Sequence, residues 1–237
     1  MKVGISQSNY IPWRGYFDFI DDVDLFIFYD DVQYSHRTWR NRNQLKTANG
    51  LVWLSVPVVH GHDTLIDNAR ISYDARWVEK HTRTLSLAYQ KAPHLQPYLA
   101  EFAGLLGRGF ETISQLNVAV CRWVMEKLSI RTRTMMSSEL GAQGDKFDRP
   151  LRILQEVGAT AYVSGPTARP YTDIARFRDA GIGLEFKAYG YGDYPQLHGA
   201  FAGAVSVLDL LFNTGPLART HLKSNLPNEI LVEAPAN

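Results

Sequence analysis

Two short apolar runs, Val3–Ser6 and Leu25–Tyr29, constrain this chain more than any other feature. Each reads as a strand. The second is continuously apolar from Leu25 to Phe28, the pattern of a parallel strand covered on both faces. Between them Pro12 and Gly15 break the chain and open a short helix near Tyr16–Asp22. Strand, turn, helix and strand in this length make a βαβ unit, whose crossover is right-handed. The expected fold is α/β, with a mostly parallel, Rossmann-like sheet, helices on both faces in three layers, and a helical insertion.

The rest of the chain is consistent with that expectation. Asn49-Gly50 is a turn signal that pairs Arg42–Thr47 with Leu51–Val59 as a hairpin or meander, and Pro57 puts the second strand at an edge or bulge. Leu65–Ser72 reads as a further short strand. Trp77, His81, Leu85 and Ala88 fall on one helical face, and Leu99–Leu106 and Ile113–Leu128 continue the helical pattern. Arg131–Met135 reads as a strand. The last third alternates: a helix from Pro150 capped by Gly158, a strand at Ala161–Val163, a helix at Ala175–Ala180 stopped by Gly181, a strand at Leu184–Tyr189 and a helix at Ala202–Phe212. We expect one α/β domain over 1–216, with a helical subdomain near 77–128, and a loose polar tail over 217–237.

The chain has 237 residues, enough to bury a sizeable core, and its net charge of +1 gives no global field for nucleic acid or an anionic membrane. Charge is segregated locally instead. Residues 18–31 hold six aspartates and no base, whereas 36–46 hold three arginines, a lysine and a histidine and no acid. A single cysteine, Cys121, permits no intrachain disulfide and suits a reducing cytoplasm. The apolar run of MKVGISQ is too short for a signal peptide, and no stretch is long enough for a membrane span. P-loop, GxGxxG, GxSxG and HExxH motifs are absent, and no metal motif stands out.

Four constellations carry chemistry. Gln7, Asn9, Tyr10, Trp13 and Tyr16 follow the first strand, and amides with aromatics there suit a planar base or a sugar. Past the second strand come Asp30 and Gln33, then Arg40, Asn41, Arg42 and Asn43. Guanidinium forks suit phosphate, and in an extended chain Arg40 and Arg42 would share one face. His81, near Lys91, would be a general base if Asp30 oriented it. Ser164-Gly165 follows a strand and would offer backbone N–H groups to phosphate if a helix began there.

Taken together, Gln7–Phe17, Asp30–Tyr34, Trp39–Asn43, Trp53–Val58, Lys80-His81, Tyr89–Pro93, Tyr162–Gly165 and Asp209–Asn213 resemble the WbqC-like protein family over nearly the whole chain. That family's pattern usually has proline where this chain has Ser8. The resemblance implies bacterial O-antigen or surface-polysaccharide biosynthesis, with aminoacyl or acyl transfer onto a nucleotide-linked amino sugar as the expected activity and no required cofactor. The start of the chain also looks like that of nucleotidylyltransferases, with Gly15-Tyr16 where those proteins have Gly-His. Two alternatives therefore stand beside transfer: Mg-ATP-dependent activation of a small carboxylate, and a non-catalytic ligand-binding module of a biosynthetic complex. The expected partner is a small molecule, and a homodimer is compatible with all three readings.

Overall fold

The structure, a computed structural model, describes residues 1–144 and 148–235. Its centre is a six-stranded sheet built from β1 (Lys2–Ser6), β2 (Leu25–Phe28), β7 (Arg133–Met136), β8 (Ala161–Ser164), β9 (Gly183–Phe186) and β10 (Glu229–Val232). The spatial order is β10-β9-β8-β1-β2-β7, and all neighbours run parallel except β10 against β9. The remaining strands lie in the β2–β7 crossover: β3 (Arg42–Thr47) pairs with β4 (Gly50–Ser55), and β5 (Val58–Val59) with β6 (Arg70–Ile71).

Alternation along the strands explains the three layers. Leu25 and Ile27 of β2 join Val3, Ile5, Leu184 and Phe186 on one face, beneath α5 (Asp148–Glu156) and α6 (Ile174–Asp179). Phe26 and Phe28 point the other way, into a larger core shared with α1 (Arg14–Asp21), α2 (Trp77–Ala88), α3 (Leu95–Leu106), α4 (Ile113–Lys127) and α7 (Val207–Thr214). Side chains of period two thus feed two cores from one strand.

Several expectations need correction. The helices over 77–128, open between an inserted subdomain and one layer, bury their apolar faces in the same core as α1 and α7 and are a layer of the domain. Leu65–Ser72 is a 3-10 turn, Ile66–Asn68, followed by the two-residue β6. The last helix begins at Val207, because the Ser206 hydroxyl caps it by accepting from Leu208 N at 3.3 Å. Residues 217–235 are no loose tail. Leu222 is buried, β10 completes the sheet, and Lys223 and Arg219 each reach Asp21 at 2.8 Å. The acidic run over 18–31 is therefore neutralised partly from the far end of the chain. Asp18 is fully buried and pairs with Lys187 at 3.0 Å.

Strands β2 and β7 lie to one side of β1, and β8 and β9 to the other. The order reverses between β1 and β8, and in open α/β sheets ligands collect outside the carboxyl ends of strands at such a point. Residues 7–13, 29–31 and 164–165 leave the sheet at that edge. Among the described residues no helix is long and apolar enough to cross a membrane.

Candidate functional site

Asp30 follows β2 and is fully buried. One carboxylate oxygen accepts from Ser8 N at 2.7 Å and the other from the Ser114 hydroxyl at 2.5 Å. Asn117, one turn along α4 from Ser114, donates to Ser8 Oγ at 3.1 Å and to Arg40 O at 2.8 Å. This network ties the first loop, the second strand and α4 together. Next to it Asp31 takes the Ser137 hydroxyl and the Arg149 guanidinium. Asp67 is set against the same edge by its N–H, which donates to Asp30 O at 3.0 Å. Its Oδ1 is buried without a partner, and burial, then Asp31 and Asp30, raise its pKa.

Arg40 enters this edge from the other side. Its half-buried guanidinium makes one long hydrogen bond, 3.4 Å to Ser8 O, and no ion pair is found for it among the described residues. Burial lowers its pKa, opposed by Tyr16 and Asp30. The nearby carboxylate of Asp30 is already occupied, so most of the Arg40 donors are unused. A desolvated cation in this state is matched to an anion.

The loop from Gln7 to Trp13 is held under strain. Ile11 is buried with φ of 39°, a region β-branched residues rarely enter, at a cost of about 1–3 kcal/mol. Its neighbours are pinned by Tyr10 N donating to Trp39 O at 2.9 Å and Val207 N donating to Pro12 O at 2.9 Å. The result is a cavity of about 210 Å³ lined by Asn9, Pro12, Trp13, Trp39, Asn43 and Ala204. Asn9 Oδ1 is buried there with no hydrogen-bond partner. Strain and an orphaned amide occur together where drug-sized ligands need roughly 300–1,000 Å³, so this cavity suits a single ring. At the start of α1 the Trp13 indole lies over Gly15, with its ring 2.3 Å from where a Cβ would stand. Gly15 therefore admits an indole, which lies against the first turn of α1.

The other predicted residues scatter. His81 and Asp30 do not meet. The His81 ring is buried between the Tyr10 hydroxyl, 2.9 Å from Nδ1, and Ser55 O, 3.2 Å from Nε2, and burial lowers its pKa to about 4. The expected pairing of His81 with Asp30 as base and orienter is thereby corrected: both are consumed by internal hydrogen bonds. Tyr16 is buried and donates its hydroxyl to Gln7 O at 2.9 Å, while among the described residues no hydrogen bond of the half-buried Gln7 carboxamide is found. Asn41 donates to Val56 O at 2.9 Å and Asn43 to Tyr10 O at 3.2 Å, so both amides tie β3 to its surroundings. The chain turns at Thr38–Asn41, so Arg40 and Arg42 do not share a face; Arg42 stacks on Trp53 at 4.2 Å. Gln33 is exposed and donates to His62 O. Lys91 is exposed beside a groove between the β3–β4 hairpin and α2. Ser164 lines a separate cavity of about 650 Å³ against Tyr162, Phe177 and Arg176. After Gly165 comes a 3-10 turn, Pro166–Tyr171, whose first residue has no N–H, so no α-helix N-terminus faces that loop.

The family model that matches this chain, over residues 7–221, is that of the WbqC-like protein family. The chain belongs to that family. It is also 43% identical over 231 residues, 94% of its own length and 97% of the other's, to "Uncharacterized protein Rv1507c" of Mycobacterium tuberculosis (strain ATCC 25618 / H37Rv). No solved structure matches it. For this WbqC-like chain, the residues that sequence reasoning missed are Asp67, Ser114, Asn117, Ser137 and Arg149, while Trp39 stood in the motif without a role of its own. Ser114 and Asn117 had a usable signal, being polar on the apolar face of α4 between Ile113, Leu116 and Val120. Ser137 and Arg149 had none, since their partner Asp31 is more than a hundred positions away.

Proposed function

We propose that this WbqC-like protein binds a nucleotide-linked amino sugar and directs aminoacyl or acyl transfer onto its amine, in bacterial O-antigen or surface-polysaccharide biosynthesis. The observation that carries the reading is the Asn9 carboxamide, whose oxygen is buried without a hydrogen-bond partner on a residue that lines the small cavity together with Trp13 and Trp39. Indole faces with one amide recognise a sugar or base ring. The unpaired Arg40 guanidinium, which bonds the residue before Asn9 and follows Trp39, takes the phosphate. In the transfer the amine nitrogen forms a bond to the acyl carbon, the donor's leaving group departs, and the nitrogen loses a proton. Asp67 is our candidate acceptor for that proton, since its buried Oδ1 has no hydrogen-bond partner where the Asp30 and Asp31 carboxylates are engaged.

Thermal melting with a panel of nucleotide-linked amino sugars tests the binding step. The wild type should be stabilised by at least one of them, Asn9→Ala and Arg40→Gln should lose that shift, and both variants should fold, because neither removes a strong internal bond. Asp67→Asn should keep the shift and lose turnover. A wild type that none of the panel stabilises overturns the reading.

A further inference from the structure

The small cavity opens onto an aromatic surface that the proposed site leaves unused. Trp39, which lines the cavity, is 45% exposed, and Trp53, whose ring centroid is 5.4 Å away, is 42% exposed. Exposed indoles side by side, Trp53 on the hairpin and Trp39 in the turn that leads into it, are costly to leave in water, and here they are held in place. Arg42 stacks on Trp53 at 4.2 Å, and the Trp39 carbonyl accepts from Tyr10 N. Beyond Trp53 lies a groove of about 860 Å³ between the hairpin and α2, which Trp53 also lines.

The lining of that groove selects among occupants. Asn49 and Gln90 are exposed, and among the described residues no internal hydrogen bond is found for either carboxamide. Leu87 is 60% exposed, the charge-bearing side chains in the groove lining are Lys91 and His198, with no carboxylate, and Arg42 adds a cation where it stacks on Trp53. Uncharged amide donors and acceptors beside flat aromatic faces match the hydroxyl edges and C–H faces of pyranose rings.

We propose that the surface from the small cavity across Trp39 and Trp53 into this groove is a binding track for an oligosaccharide chain of largely neutral sugars. This rests on the proposed function only in that the terminal ring of such a chain would occupy the Asn9 cavity. It extends the substrate class from a single activated sugar to a glycan of several units.

The test is direct binding of the full chain to an array of bacterial surface-polysaccharide fragments, from monosaccharides to hexasaccharides, followed by titration of the best binder. Affinity should rise with chain length. Trp53→Ala should weaken the longest ligand about tenfold or more, and Trp53→Phe should retain most of the binding. Trp53→Ala should leave melting with a nucleotide-linked amino sugar unchanged, so the two readings fail separately. No bound glycan, affinity independent of length, or an unaffected Trp53→Ala variant each overturns the track. A wild-type dimer that becomes monomeric in Trp53→Ala, without glycan binding, assigns the surface to self-association and also overturns it.

Discussion

The Tyr10 hydroxyl lies 2.9 Å from Nδ1 of His81, with both side chains in the core. The opposite ring nitrogen faces Ser55 O at 3.2 Å, and a carbonyl only accepts. Nε2 therefore carries the hydrogen, and Nδ1 accepts from Tyr10. A ring so placed couples the first loop to α2 and β4.

That arrangement gives a pH dependence with a definite sign. Burial holds the folded-state pKa of His81 at about 4, below the 6.5 of a free histidine. The unfolded chain binds the proton more readily, so the contribution is complete above about pH 6.5 and is lost as pH falls toward 4, to a total of about 3 kcal/mol. His81→Gln, which keeps a donor and an acceptor, should flatten the stability profile in that window, measured by urea melts. Its turnover per folded molecule should match the wild type. Normal stability with lost turnover would return the residue to the chemistry.

Asp30 should behave as a structural anchor. Asp30→Ala leaves the Ser8 N–H and the Ser114 hydroxyl buried without their acceptor, at a cost of about 3 kcal/mol. Asp30→Asn can keep its oxygen on Ser8 N and turn its amide toward the Ser114 oxygen, so it should lose much less. Equal destabilisation of the two variants in denaturant melts would count against this geometry. Ser8→Pro would remove the N–H that donates to Asp30.

Removing residues 217–237 should lower the melting temperature by ~10 °C or more, because several kcal/mol of burial and pairing go with them. The deletion takes Leu222 out of the core and β10 off the sheet, and strips Asp21 of both its basic partners. A truncated protein that melts within a degree or two of the full chain would show the segment to be dispensable.

The parallel strands were legible because burial on both faces writes a continuous apolar run, as in Leu25–Phe28. The segment ending in β10 was not, since an antiparallel edge strand with Ile230 about half exposed (52%) has no such signature. Asn9 stood out as an amide without an obvious structural task, and its Oδ1 is buried without a hydrogen-bond partner. His81 was misread because helical spacing shows only that a side chain faces inward, and what it meets is set by Tyr10, 71 positions away. Motif residues are no surer guide to chemistry. Tyr89 donates to Asp209 at 2.8 Å, and Tyr194 and Gln196 each reach the same carboxylate at 2.7 Å, a buried network that joins α2 to α7.

Gly15→Ala sets two effects against each other. Alanine favours a helix over glycine by up to about 1 kcal/mol, which would raise stability if the site were open. The new Cβ would instead stand 2.3 Å from the Trp13 ring, well inside contact distance, so the indole must leave its place over the start of α1. Trp13 is a wall of the Asn9 cavity and packs edge-on to Tyr189 and Tyr191 at 5.1 and 5.6 Å. Displacing it should disrupt both contacts and expose the ring. The expected result is red-shifted tryptophan emission, a melting temperature no higher than the wild type's, and loss of stabilisation by a nucleotide-linked sugar. A higher melting temperature with unchanged emission and binding would mean that the indole does not lie against the first turn of α1.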